Sequence, residues 1–207
     1  MTTEREPSMT ADNHRGFTLI ELLVTLAIFS IASLIMTKIY MNFSSSFTTQ
    51  EVTAGLQQEV RSAVDLMAYE LRMAGLDVNR TGLFGITQAS ASTIGFTSDQ
   101  NLDGVMDVTD NEQVTYNITA GGVLQEILYQ GTASEVTITL AENVDTANSG
   151  FVYLDQNGVP LATPVAAANL SNIRAIAITL ALQEAAGRGP VVNRTITSQV
   201  ICRNLAY

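Results

Sequence analysis

The sequence predicts an α+β protein in which one long N-terminal helix packs on an antiparallel β-sheet domain. Three observations predict it. From Phe17 to Met36 an apolar run carries a single charge, Glu21. Neither proline nor glycine interrupts the chain between Phe17 and Ala54, and good helix formers continue to Ala74. Beyond Gly75 the spacing of apolar residues changes from helical to alternating, which is the mark of half-buried strands.

The apolar run comes first. Its twenty residues from Phe17 to Met36 are about the number a helix needs to cross ~30 Å of hydrocarbon. Three readings share that pattern. A secretory signal has a basic start, a short apolar stretch and a cut after small residues, for which Ser30-Ile31-Ala32 would serve. A simple membrane anchor has the same length. Neither accounts for Glu21, because an acid within an apolar span costs roughly 2.5–3.5 kcal/mol on insertion and normally has a partner. In the third reading the chain is cut between Gly16 and Phe17. The new α-amine then lies one helical turn from Glu21, and a subunit shifted along its neighbour can match its amine to that carboxylate.

The second half of the helix is amphipathic. Leu56, Val60, Ala63, Met67, Leu71 and Ala74 recur at three- and four-residue spacing, while Gln57, Glu59, Arg61, Asp65 and Arg72 fall largely elsewhere. Gly75 stands where a helix C-cap belongs. The run from Ser44-Ser45-Ser46 to Thr49 is the expected weak point, since these hydroxyls compete for backbone hydrogen bonds, and Gly55 is a second candidate bend.

Strands follow. Ile94 and Phe96 alternate, then Val114, Tyr116 and Ile118, then Val136, Ile138 and Leu140, then Phe151 and Tyr153. Ile176, Ile178, Leu180 and Leu182 share one face of the next run, and Ile196, Val200 and Cys202 one face of the last. Asn157-Gly158 is a hairpin signal and Gly187-Arg188-Gly189-Pro190 a chain break. The bulky faces need a cover, which the helix from Leu56 to Ala74 can supply.

Composition excludes several functions. The 207-residue chain carries 10 Lys and Arg against 20 Asp and Glu, a formal net charge of -10, so the basic footprint of a nucleic-acid binder is missing. Its single cysteine, Cys202, permits neither an intrachain disulfide nor a cysteine-built zinc site, and is read as a small buried thiol. The single histidine, His14, precedes the proposed cut. A chain starting at Phe17 then has none, which removes Ser-His and Cys-His nucleophile systems, and neither a Gly-x-Ser-x-Gly elbow nor a phosphate-cradling glycine loop is present. An enzyme is therefore not expected.

The residues Arg15-Gly16-Phe17-Thr18-Leu19-Ile20-Glu21 resemble the processing motif of type IV prepilins and of the pseudopilins of type II secretion. "AVDLMAYELRMAGL", the "YLDQNG" turn, "NLSNIRAIAITL" and the closing "VICRNL" are similar to the body of PilW-type minor pilins and, more distantly, GspJ-type pseudopilins. The resemblance implies a leader at residues 1–16, a transmembrane and assembly helix at 17–40, a periplasmic amphipathic helix at 41–75 and an antiparallel β globular domain at 76–207, the pilin lollipop. It implies cleavage between Gly16 and Phe17 by a prepilin peptidase, N-methylation of Phe17, and registry during assembly through Glu21. The protein it implies is a single-pass inner-membrane minor pilin that, with other minor and major pilins, helps prime or cap a type IV pilus; a pseudopilin of a secretion pseudopilus is the alternative. Many major pilins interrupt the first helix with proline or glycine, and Phe17 to Ala54 has neither, which favours a minor role.

One loop carries candidate chemistry. In "DQNLDGVMDVTD", Asp99, Asn101 and Asp103 occupy positions one, three and five of twelve, Gly104 position six, Asp107 nine and Asp110 twelve. Oxygen ligands at that spacing, with the Val105 carbonyl as a further one, are what a calcium loop needs, and the stretch resembles dockerin and EF-hand loops. Position twelve is Asp rather than the longer Glu, and the flanks read as strands; Glu112 can substitute as an outer ligand. A polar hairpin loop is the plainer reading. No cofactor is required, and calcium is the candidate ion. A membrane-anchored, calcium-dependent binding module is thus a further function class.

Overall fold

The computed structural model describes residues 16–187 and 189–206. The leader with His14 and Arg15, and Arg188 of the expected chain break, lie outside the described residues. The chain forms two compact units divided between Ser44 and Ser45.

The helix α1 runs unbroken from Leu19 to Leu71. Neither the serine-threonine run nor Gly55 interrupts it, contrary to expectation. Thr49 Oγ1 donates to the Ser45 carbonyl four residues back at 2.9 Å, so this hydroxyl is satisfied on the helix itself instead of competing with it. The same solution recurs in the apolar segment, where Ser30 donates to Leu26 O at 2.7 Å and Thr37 to Ser33 O at 2.8 Å. In hydrocarbon an unsatisfied hydroxyl has no water to turn to, which makes such bonds a condition of membrane residence.

In the first unit the apolar side chains lie exposed, among them Phe17, Leu22, Phe29 and Leu34. Within the second unit α1 buries Leu56, Val60, Ala63, Val64, Met67, Ala68 and Leu71. Val64 and Ala68 widen the expected stripe. The helix ends three residues before Ala74, in tight turns that lead to Gly75 at φ +76°, whose N–H donates to Thr97 O at 2.9 Å. The positive φ calls for glycine there, and a Cβ would also stand 2.4 Å from Leu205 Cδ2, which would have to shift.

Among the described residues, eight strands form two antiparallel sheets. The first is a five-stranded meander in chain order: β1 (Ile86–Ala89), β2 (Thr93–Thr97), β3 (Gln113–Ile118), β4 (Leu124–Leu128) and β5 (Val136–Ala141). The second joins β6 (Gly150–Leu154), β7 (Ala175–Ala185) and β8 (Val191–Ile201). Strands consecutive in the chain are neighbours throughout both sheets. Val144 stitches the sheets together: its N–H donates to Gly122 O beside the β3–β4 turn, and it bridges to Leu182 on β7. Tyr153 on β6 adds a second stitch, its hydroxyl donating to Ser90 O and Thr93 O.

The alternating residues of β2, β3, β6 and β7 are buried as read, with Ile94, Tyr116, Tyr153, Ile176, Leu180 and Leu182 fully so, and they form one core cluster with the α1 stripe. In β8, Val200 is buried and Ile196 packs against the cluster, and Cys202 is buried just past the strand's end. Asn157-Gly158 makes the expected reversal, with Asp155 N–H donating to Val159 O.

Strand β5 departs from expectation. Register pairs Val136 with Leu128 and Ile138 with Glu126, on the core-facing side of the sheet, yet Val136 and Ile138 are exposed. β5 stands at the edge of this sheet. The expected burial is corrected to exposure for Val136 and Ile138, while Leu140 packs against the core cluster.

Candidate functional site

At the start of α1, Thr18 and Glu21 form a reciprocal cap. Thr18 N–H and Thr18 Oγ1–H each donate to Glu21 Oε2 at 2.9 Å, and Glu21 N–H donates back to Thr18 Oγ1 at 3.3 Å. This is the capping box, which satisfies two of the N–H groups that a helix start leaves without intrahelical partners. Its signal, Thr-x-x-Glu, stands in the sequence, so Glu21 has a local structural role besides any intermolecular one. Gly16 and Phe17 precede the cap and are exposed. The helix that follows is, among the described residues, the one long and apolar enough to cross a membrane.

The acidic loop lies between β2 and β3. Ser98 N–H donates to Glu112 O and Asp99 N–H to Leu76 O, both at 2.9 Å, so the loop's base is pinned to the sheet and to the turn after α1. Gly104 takes φ +79°, and a Cβ there would stand 2.4 Å from Asn79 Nδ2. The loop's sharp turn thus rests on a glycine, at the position expected.

Three carboxylates converge. One oxygen from each of Asp99, Asp103 and Glu112 lies within 4.8 Å of the others. Asp99 and Glu112 are fully buried, Asp103 is exposed. Glu112 Oε1 accepts from Gln100 N–H at 3.2 Å and Oε2 from Asp107 N–H at 3.0 Å, so the loop wraps around this side chain. Asp99 Oδ2 accepts from Gly104 N–H at 3.1 Å, while Asp99 Oδ1 is buried with no hydrogen-bond partner among the described residues.

The other residues of the expected ligand set stand differently. Asn101 Nδ2 donates at 3.1 Å to both Asp103 Oδ2 and Asp110 Oδ2, clamping the two carboxylates, and Asn101 Oδ1 accepts from Asp103 N–H at 2.9 Å. Asp107 turns to Thr109, whose N–H and hydroxyl donate to Asp107 Oδ1 and hold its carboxyl below the usual range. Val105 is exposed, and its N–H donates to Asp103 Oδ1 at 2.7 Å. Glu112, given an outer place in the sequence reading, sits at the centre. It lies two residues past the twelve-residue frame, so no frame of that length points to it.

Comparison with known proteins bears on the first of these regions. Residues 12–37 match the family described as the prokaryotic N-terminal methylation motif. That match makes the chain type IV prepilin-like over the segment holding Gly16, Phe17 and Glu21. An apolar helix behind the motif is consistent with membrane anchoring and pilus assembly. No curated protein matches the chain in sequence. A solved structure, a type IV-like pilin from Thermus thermophilus, is similar over 73% of this chain and 98% of that one, at 13% identity and a TM-score of 0.49.

Proposed function

We propose that the protein is a minor pilin of the PilW type. It enters the inner membrane through α1 with its sheets in the periplasm, is cut between Gly16 and Phe17, is methylated on the new Phe17 amine, and joins other pilins in priming a type IV pilus. The observation that carries this reading is the prepilin motif over residues 12–37 directly ahead of a helix whose apolar side chains are exposed. Such a surface calls for lipid before assembly or neighbouring helices after it. Glu21 fits the same account. Its carboxylate is the only charge from Phe17 to Met36, and a neighbour's Phe17 amine is a counter-charge that exists only once the leader is gone.

Mass analysis of the mature N-terminus tests this reading. Cells with active prepilin peptidase should yield a chain beginning at N-methylated Phe17, and peptidase-deficient cells the uncut form. A chain beginning at Ser33, or an uncut Met1 form despite active peptidase, would overturn it. A pseudopilin would be processed in the same way, so deletion of the gene separates the two: loss of pili supports the pilin, loss of secretion with intact pili the pseudopilin.

A further inference from the structure

We infer that the loop between β2 and β3 holds one divalent cation, of the calcium class, between Asp99, Asp103 and Glu112. This does not depend on the pilin reading. Two independent observations carry it: the convergence of the three carboxylates within 4.8 Å, and a fully buried Asp99 whose Oδ1 has no hydrogen-bond partner among the described residues. Buried carboxylates are normally paired with a cation or saturated with donors, because desolvating the charge costs several kcal/mol per ion. Here the donors are neutral throughout: the backbone N–H groups of Gly104, Val105, Gln100 and Asp107, and the Asn101 amide. They orient the carboxylates without cancelling their charge.

The donor set selects the ion. Three carboxylates offer hard oxygen and neither nitrogen nor sulfur, which suits calcium or magnesium rather than zinc. Ligands of one calcium ion at about 2.3–2.6 Å stand at most roughly 5 Å apart, whereas magnesium at about 2.0–2.1 Å draws them within roughly 4 Å and demands near-octahedral order. Oxygens within 4.8 Å of one another are of the spacing that the larger and more flexible calcium sphere takes. The ligand set also differs from a twelve-residue calcium loop. Glu112 replaces the acid at position twelve, while Asp110 and Asn101 brace Asp103 from outside.

The test is thermal unfolding of the full-length chain in detergent, in calcium chloride, in magnesium chloride and in chelator. Calcium at a hundredfold excess over Kd should raise Tm by about 5 °C or more over chelator, with magnesium doing clearly less. Asp103→Asn, at an exposed position that burdens folding least, should weaken calcium binding at least roughly tenfold by calorimetric titration, consistent with loss of a charged ligand. It should melt no lower than the parent in chelator, since it removes a repelling charge. Asp99→Asn should abolish the calcium shift outright; if that chain does not fold, Asp103→Asn decides alone. A parent Tm indifferent to calcium overturns the inference, as does a calcium shift that survives Asp103→Asn undiminished.

Discussion

Tyr116 on β3 donates its hydroxyl hydrogen bond to Glu70 Oε2 on α1, across 46 residues of chain. Glu126 on β4, register partner of Tyr116, completes a group of one buried phenol, one buried acid and the half-buried Glu70. Burial and the charges of Glu70 and Glu126 push the Tyr116 hydroxyl well above its ordinary range, so it remains a donor at any physiological pH. Burial first, and the Glu70 charge second, push Glu126 up to about 7. Burial also raises Glu70, against the opposing pull of the Tyr116 hydrogen bond.

A pH dependence follows from Glu126. Its folded pKa of about 7 lies above the ordinary value of 4.5, so between these values the folded chain binds more protons than the unfolded one. Stability contributed by this group is then greatest below pH 4.5, declines as pH rises towards 7, and is flat above. Glu126→Gln should flatten the decline, leaving the part that Glu70 contributes, and stabilise the chain at pH 8 by on the order of 1–2 kcal/mol. Melting curves of parent and variant at pH 4, 6 and 8 measure this. Parallel profiles for the two proteins would remove Glu126 from the account.

The same acid explains why part of the first sheet was hard to read. In β4, Leu124-Gln125-Glu126-Ile127-Leu128, two polar residues break the alternation that marked β3, and only a long-range neighbour such as Tyr116 shows why Glu126 is inside. Strand β1 has four residues and one buried side chain, too little for a period. The α1 stripe and the strands β2, β3, β6, β7 and β8 were legible because each buries residues at its own fixed spacing against one neighbour. Division into two sheets was not, since Val144 and Tyr153 join them through backbone partners that no side-chain pattern encodes. At the acidic loop, Asp99, Asp103 and Gly104 follow from spacing, whereas the inward turn of Glu112 depends on how Gln100 and Asp107 fold around it.

Substitution at Gly16 separates processing from folding. Gly16 is exposed, and nothing lies within 4 Å of where a Cβ would stand. Gly16→Leu should change stability by less than about 0.5 kcal/mol while blocking removal of the leader, because the peptidase must admit this side chain. Intact mass and melting temperature, measured on the same preparation, check both halves. Efficient cleavage of the leucine variant would mean that the cut does not read Gly16.

Cys202 offers a probe of the packed core. It is fully buried beneath the core cluster, and burial pushes its thiol up to about 11. Thiolate is the reactive form, so both access and ionisation protect the residue in the folded chain. Ellman's reagent at pH 8 should leave the native protein unmodified over hours and react with one thiol per chain in denaturant. Rapid labelling without denaturant would show that the last strand opens.

The cap between Thr18 and Glu21 changes how Glu21 is best tested. Alanine at position 21 removes two things at once, the charge and the acceptor for both Thr18 donors. Losing a cap costs about 1 kcal/mol of helix stability, enough to confuse a loss of registry with a frayed helix start. Glutamine separates them, since its carbonyl oxygen can accept the same two bonds while carrying no charge. If assembly uses the carboxylate to match a neighbour's Phe17 amine, Glu21→Gln and Glu21→Ala should both insert into membranes at least as well as the parent, as the burial penalty of the charge is gone. Both should also fail to enter filaments, by roughly tenfold or more if the lost ion pair is worth at least ~1.4 kcal/mol in a desolvated site. Immunoblots of sheared filaments against membrane fractions give the ratio. Normal incorporation of Glu21→Gln beside failure of Glu21→Ala would assign Glu21 to the helix cap alone.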